Sequence, residues 1–117
     1  MSKTFILHNN RCTKSRQSKT WMDENVTNFE VINYLEDIPT ERELTEILEK
    51  LEMKPEEILR KGEAIYKEQY KGKNLSDQEW IKAMIEHPKL IERPIVVHGN
   101  RAAIGRPLEN VIALFQK

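Results

Sequence analysis

The chain carries one cysteine in 117 residues. That count excludes an internal disulfide, and with it a disulfide-stapled secreted scaffold. A free thiol suits a reducing cytosol, so a cytoplasmic location is expected. An excess of charge is also missing: 19 Lys and Arg stand against 19 Asp and Glu, for a formal net charge of zero. Nucleic-acid binders usually carry a basic surplus that neutralises phosphates. Nucleic acid is therefore not an expected partner, and any anion site has to be a local gathering of cations. Long apolar runs are absent as well. The opening stretch, Met1-Ser2-Lys3-Thr4-Phe5-Ile6-Leu7-His8, is too short in apolar residues for a signal peptide or a membrane span. No internal repeat or low-complexity tract appears, and no long apolar surface stripe suggests an oligomer, so a monomer is expected. The length suits one domain with one modest core, since single domains cluster at about 100–150 residues.

What is present reads in three blocks. Thr4-Phe5-Ile6-Leu7 is a short buried strand, followed by a polar turn, His8-Asn9-Asn10-Arg11. Residues from Cys12 to about Asn25 form a helix, with Asn25 suited to a left-handed helix end. Phe29-Glu30-Val31-Ile32-Asn33-Tyr34-Leu35 is a second strand, rich in β-branched and aromatic residues. Strand, helix and strand make a βαβ unit with parallel strands and a right-handed crossover. Residues 40–88 read as a helical block of about three helices. Thr40 with Glu43 and Ser76 with Glu79 are capping boxes. Leu44, Ile47, Leu48 and Leu51 share one face. Pro55 opens a helix that Gly62 stops, and Trp80, Ile81, Met84 and Ile85 line the face of a third helix ended by Pro88. In the last block, Ile95-Val96-Val97-His98 and Arg101-Ala102-Ala103-Ile104 flank the turn Gly99-Asn100. Pro107 then begins a final helix. The order β-α-β, helical insertion, β-β-α predicts an α/β fold with a four-stranded mixed sheet.

The chemistry gathers at Cys12. It sits just after the first strand, where the first helix opens, so free backbone N–H groups and the positive end of the helix dipole face it. Both stabilise a thiolate, and cysteines so placed have pKa values lowered to about 3.5–7.5. Arg11, Lys14 and Arg16 add positive charge, and His8 is close enough in sequence for its imidazolium to help. The bland alternative is a small buried cysteine that merely packs. A packing cysteine belongs in an apolar run, whereas Asn10-Arg11-Cys12-Thr13-Lys14-Ser15-Arg16 is polar throughout. Three residues after Cys12 stands Ser15 rather than a second cysteine. Any covalent adduct on Cys12 must therefore be released by an outside thiol. A metal site is not expected, because His8 and Cys12 are too few ligands and His87 and His98 lie on other segments.

The stretch His8-Asn9-Asn10-Arg11-Cys12-Thr13-Lys14-Ser15-Arg16 strongly resembles the glutaredoxin-coupled arsenate reductase (ArsC) family, whose usual pattern is His-Asn-Pro-x-Cys-x-x-Ser-Arg. Asn10 stands where the family has proline. Further matches follow in order along essentially the whole chain: Tyr34-Leu35-Glu36, Ile58-Leu59-Arg60-Lys61, His87-Pro88-Lys89-Leu90-Ile91-Glu92-Arg93-Pro94-Ile95-Val96-Val97, and Gly105-Arg106-Pro107. Ending at Lys117, the chain looks like the short branch of that family. The resemblance implies a thioredoxin-like fold with a helical insertion at about residues 40–88 of a single domain. It implies Cys12 as nucleophile, His8 as its tuning histidine, and Arg60, Arg93 and Arg106 as oxyanion-binding arginines, with Ser15, Arg16 and Pro94 in support and a cis peptide before Pro94.

The activity implied is that of an arsenate reductase needing no bound cofactor, with glutathione as co-substrate and a glutaredoxin as partner. Arginine's planar fork of donors suits a tetrahedral oxyanion. Two other readings stay open. One is a glutathione-dependent thiol oxidoreductase acting on protein mixed disulfides, which the Cys-x-x-Ser pattern also fits. The other is a non-enzymatic interaction protein resembling the Spx regulators, whose redox-switched members carry Cys-x-x-Cys.

Overall fold

The structure, a computed structural model, describes residues 3–116. In chain order its elements are β1 (Thr4–His8), α1 (Thr13–Asn25), β2 (Glu30–Asn33), α2 (Glu41–Leu51), a 3-10 turn at Pro55–Ile58, α3 (Ala64–Gln69), α4 (Asp77–Glu86), a 3-10 turn at Pro88–Leu90, β3 (Ile95–His98), β4 (Arg101–Ile104) and α5 (Glu109–Phe115). They fall into two compact units. One holds the chain up to Asp37 together with the chain from Arg93 onward; the other is the insertion, Ile38–Glu92.

The first unit is built on a four-stranded mixed sheet in the order β2-β1-β3-β4. β1 pairs parallel with β2, with Ile6 opposite Val31, and antiparallel with β3, with Ile6 opposite Val96. β3 and β4 form the expected hairpin, with His98 opposite Arg101 and Gly99 in the left-handed region at φ 62°. β3 is a central strand, and Ile95, Val96 and Val97 are all fully buried. An unbroken apolar run is what a strand without a solvent face requires. Ile6 and Val96 pack with Met22 of α1 and with Val111 and Leu114 of α5. The weak periodicity of α1 is explained by what it buries: Ser15 and Ser18 alongside Met22, so only one buried position is strongly apolar. α1 also ends differently from expectation. Asn25 is not left-handed; its side chain donates to the Trp21 carbonyl at 2.9 Å, and the chain leaves through an extended Val26.

The insertion contains the two capping boxes read from the sequence. Thr40 Oγ1 accepts from the Glu43 N–H while the Glu43 carboxylate accepts from the Thr40 N–H, and Ser76 and Glu79 repeat the exchange. α2 contributes buried Leu44, Ile47 and Leu48, and α4 contributes Trp80, Ile81, Ala83 and Met84. The helix expected from Pro55 to Gly62 is a correction. Only the 3-10 turn forms, because Leu59 turns extended and bridges Ile91, with the Arg60 N–H donating to Leu90 and the Glu92 N–H to Ile58. The third α-helix is instead α3, which buries no residue fully. Tyr66 and Tyr70, to which the sequence assigned no role, lie against Trp80 with ring centroids 6.4 and 5.9 Å away. Among the described residues no helix is long and apolar enough to cross a membrane.

One close approach locks the first unit. The Gly105 N–H donates to the Pro94 carbonyl at 2.9 Å. A Cβ at position 105 would collide with Ser18 Oγ and come within 2.7 Å of Pro94 Cγ. Ser18 is fully buried and its hydroxyl has no hydrogen-bond partner among the described residues. In urea unfolding, Gly105→Ala is expected to cost about 1–3 kcal/mol through overpacking. Ser18→Ala is expected to be near neutral, since it removes an unsatisfied hydroxyl. Combined, the two should cost less than their sum, because they share one contact. Additive costs would count against the contact.

Candidate active site

Cys12 is the N-cap of α1, with extended dihedrals of φ −93° and ψ 121°. Its own N–H donates to the Asn9 carbonyl at 3.0 Å, closing the loop that follows β1. An N-cap side chain faces the open N–H groups of the first helical turn. Here that side chain is a half-buried thiol. Burial pushes the thiol up. The Ser15 N–H, the Arg93 side chain, the Arg106 charge and the Lys14 N–H together outweigh it and hold Cys12 below the usual thiol value. Arg106 reaches the sulfur directly: its Nη2 donates to Cys12 Sγ at 3.0 Å while its Nε donates to the Arg93 carbonyl at 2.7 Å. One guanidinium thus ties the sulfur to the backbone of the segment that carries the second arginine. Each arginine directly precedes a proline joined through a cis peptide, Pro94 as expected and Pro107 in addition. The Asn110 side chain donates to the Ile104 and Arg106 carbonyls at 3.2 and 3.4 Å, which holds the Arg106 segment over α5.

His8 is buried beneath the Cys12 loop. It is 5% exposed, with Nδ1 2.7 Å from Ser15 Oγ and Nε2 3.4 Å from Asn10 Oδ1. Burial pulls its pKa below the ordinary value; the Asn10 hydrogen bond opposes this, and the charges of Lys19 and Arg16 add to it. The neutral ring is therefore favoured. Ser15 Oγ accepts the Asn9 N–H at 3.0 Å. All groups are satisfied together when Ser15 donates to Nδ1 and Nε2–H donates to Asn10. His8 thus holds Ser15, whose N–H stabilises the thiolate. Asn10 bonds His8 through its side chain and accepts Arg16 Nη1 at 3.0 Å through its carbonyl, while Arg16 Nη2 donates to Thr13 Oγ1 at 3.2 Å. Arg16 braces the loop.

Cys12, His8, Ser15, Arg16, Arg93, Pro94 and Arg106 are all carried by the first unit. Arg60 is carried by the insertion, where its Nη1 donates to Glu92 at 2.9 Å and its Nε to Glu63 at 3.3 Å. Among the described residues no three of His, Cys, Asp and Glu gather in a metal-binding arrangement. Two residues that the sequence reading left without a role here, Asn9 and Asn110, hold the two loops of the site. Only the turn propensity of asparagine pointed to the first.

Two measurements check this arrangement. The rate of Cys12 alkylation by iodoacetamide, followed against pH, should rise through a single ascending limb that begins below the ordinary thiol range. Arg106→Gln should move that limb to higher pH and slow alkylation several-fold near neutrality, since a cation that favours the thiolate is lost. His8, a buried base with a lowered pKa, contributes stability that is complete above its unfolded value of 6.5 and is lost as pH falls through its folded value. Urea midpoints taken from pH 7.5 down to 5 should therefore fall more steeply for the wild type than for His8→Asn. Parallel curves would show that the ring is not buried neutral.

The ArsC family model matches residues 7–114 of this chain. An arsenate reductase of Neisseria meningitidis serogroup B is 38% identical over 116 residues, covering 97% of this chain and 99% of that one. An uncharacterised protein of Escherichia coli strain K12 is 42% identical over 113 residues, 93% of each chain. The solved structure of an arsenate reductase from Vibrio cholerae superposes with a TM-score of 0.91 at 39% identity, covering 97% of this chain and 98% of that one. The thioredoxin-like architecture of these relatives is the sheet and helix order described above. With the matched segment running from Leu7 through Leu114, and so spanning the Cys12 loop, the Arg93 segment and the Arg106 segment, the chain belongs to the ArsC family.

Proposed function

We propose that this protein is an arsenate reductase, an oxidoreductase whose nucleophile is Cys12. The observation that carries the reading is the 3.0 Å bond from Arg106 to a Cys12 sulfur held below its ordinary pKa. A thiolate that attacks an oxyanion has to overcome charge repulsion, and cations beside the sulfur reduce it. Arginine presents five donors and stays charged, so Arg93 and Arg106 suit both the thiolate and the oxygens of arsenate. Arg60 is the third arginine of the family pattern. Its donors serve Glu63 and Glu92, so the reading rests on the other two.

The reaction proceeds with two electrons supplied by outside thiols. The Cys12 thiolate forms a bond to arsenic(V), and one oxygen takes up two protons and leaves as water. The thiol of glutathione displaces a second oxygen in the same way. A glutaredoxin thiolate then attacks the glutathione sulfur; the sulfur–arsenic bond pair returns to arsenic, which becomes arsenic(III), and a mixed disulfide departs. Water cleaves the remaining sulfur–arsenic bond, arsenite leaves, and the Cys12 thiolate is restored. With Cys12 as the sole cysteine of the chain, no internal thiol competes for the adduct.

The test is arsenate-dependent oxidation of glutathione in the presence of a glutaredoxin. The wild type should turn over, Cys12→Ser should fall to background, and Arg106→Lys should lose at least tenfold because the planar fork is gone. A wild type inert to arsenate, with Cys12 still alkylating as a low-pKa thiol, would overturn the substrate and put mixed-disulfide exchange in its place.

A further inference from the structure

The insertion carries a groove of about 700 Å³, set between the C-terminal half of α2, the stretch that follows it and the N-terminal half of α4. Its floor is apolar. Leu48, Pro55 and Ile81 are buried there, whereas Met53 is 37% exposed. A half-exposed methionine beside buried aliphatic side chains is an apolar surface left without cover. Its unbranched, polarizable side chain suits apolar groups of varied shape.

The rim carries charge of almost one sign. Glu49, Glu52, Glu57 and Asp77 stand around the floor with a single cation, Lys54, and all five are exposed. In a chain of zero formal net charge this is a local acidic surplus. Among the described residues none of the four carboxylates forms an ion pair. Glu57 is fixed in place by accepting the Lys54 N–H at 2.7 Å. Two of the others stand where the fold itself disfavours them. Glu49 lies in the last turn of α2, where the helix dipole favours cations and only Lys50 supplies one. Glu52 ends that helix in the left-handed region at φ 57°, where glycine is usual, and is the one such non-glycine residue among the described residues. No residue of the insertion neutralises this rim, so a cation from outside is what complements it.

We propose that this groove docks a cationic segment of another protein, with an apolar side chain seated on Leu48, Met53 and Ile81 and flanking lysines or arginines against Glu49, Glu52 and Asp77. An apolar segment without charge would leave the carboxylates uncomplemented, and a small cation alone would leave the floor wet. Small-molecule sites enclose most of their ligand. Here every charged rim residue is exposed, so the occupant continues past the rim. A second copy of this chain, set face to face, would bring acidic rim against acidic rim. One apolar anchor and a few charges make a small contact, of the size found in transient encounters. The proposal goes beyond the arsenate reductase reading and does not rest on it, since every residue involved belongs to the insertion and none touches Cys12.

The probe is a capped synthetic hexapeptide with two central leucines between pairs of lysines. It is titrated into the full chain at low ionic strength and followed by backbone amide chemical shifts. Saturable shifts confined to residues 45–57 and 77–81 are expected, with a Kd below about 1 mM. Replacing the leucines by serines, or the lysines by glutamates, should each weaken binding about tenfold or more. Glu49→Lys and Met53→Ser should each weaken it about fivefold, while Glu24→Lys, an equal change of charge carried by the first unit, should alter it less than about twofold. Glu49 and Met53 are both exposed, so neither substitution disturbs the core. Glu49→Lys also places a cation at a helix C-terminus and should keep or raise the urea midpoint, which separates lost docking from lost structure.

The absence of saturable shifts overturns the proposal. So does equal binding of the serine peptide, for then the rim is an acidic surface with no apolar seat. Displacement of the peptide by spermidine at equal concentration overturns it too, because the groove then selects a small organic cation. The same holds if Glu24→Lys weakens binding as much as Glu49→Lys, since net charge alone would then attract the peptide. Shifts in the same residues that grow with protein concentration, without peptide, give the groove to a second copy and likewise overturn the proposal. Arsenate turnover bears on none of these outcomes, so the two readings stand or fall separately.

Discussion

The contest at the Cys12 sulfur is the constraint around which the first unit is built. Burial favours the neutral thiol, and hydrogen-bond donors and positive charge favour the anion. The balance shifts towards the anion because donors arrive from several directions: first-turn N–H groups of α1, the Arg93 segment before β3, and the Arg106 segment after β4. No single element could deliver them. The mixed sheet brings the end of β1 beside the start of β3 and the end of β4, with Leu7 opposite Ile95 and Ile95 opposite Ile104. The βαβ crossover then sets the N-terminus of α1 at the same edge. The site is thus a product of strand order more than of the Cys12 loop taken alone.

The loop gains its rigidity from polar bonds, because its sequence offers nothing apolar to pack. His8, Asn9, Asn10, Arg11, Ser15 and Arg16 are linked through five hydrogen bonds between 2.7 and 3.4 Å. Such a network is stable only when each buried member is satisfied. The same rule favours the neutral state of His8: a second ring proton would turn Nδ1 from acceptor into donor and leave the Ser15 hydroxyl proton without the acceptor it has in the neutral ring. Asn10 illustrates compensation. A proline at that position would stiffen the backbone covalently. Asparagine supplies instead a side-chain oxygen for His8 and leaves the loop carbonyl to Arg16.

Features governed by neighbours in sequence were legible from the residues alone. The capping boxes at Thr40 and Ser76, the Gly99 turn and the position of Cys12 at a helix start are of this kind. Features decided by distant partners were not. Leu59 continues a helical pattern in sequence, yet pairing with Ile91 draws it out of the helix. Tyr66 and Tyr70 carry no periodic signal strong enough to mark α3, and their use appears only once Trp80 lies beside them. The charge state of His8 depends on burial, which no spacing reveals. Arg93 and Arg106 stood out among 19 basic residues only through the family pattern, because an arginine that will bind a thiolate looks, in a sequence, like one that will face solvent.

A lone thiolate flanked by guanidiniums is also the most oxidisable group in the molecule. Peroxide would convert it to a sulfenic acid, and further oxidation beyond that is irreversible. Proteins with a second cysteine nearby capture the sulfenic acid as an internal disulfide; this chain has none to offer. Its protection therefore has to come from solution, in the form of small thiols that reach the sulfur before a second oxidant does. The lifetime of the protein under oxidative stress is in this way coupled to the thiol concentration of its surroundings, and a half-buried sulfur sets how quickly either arrives.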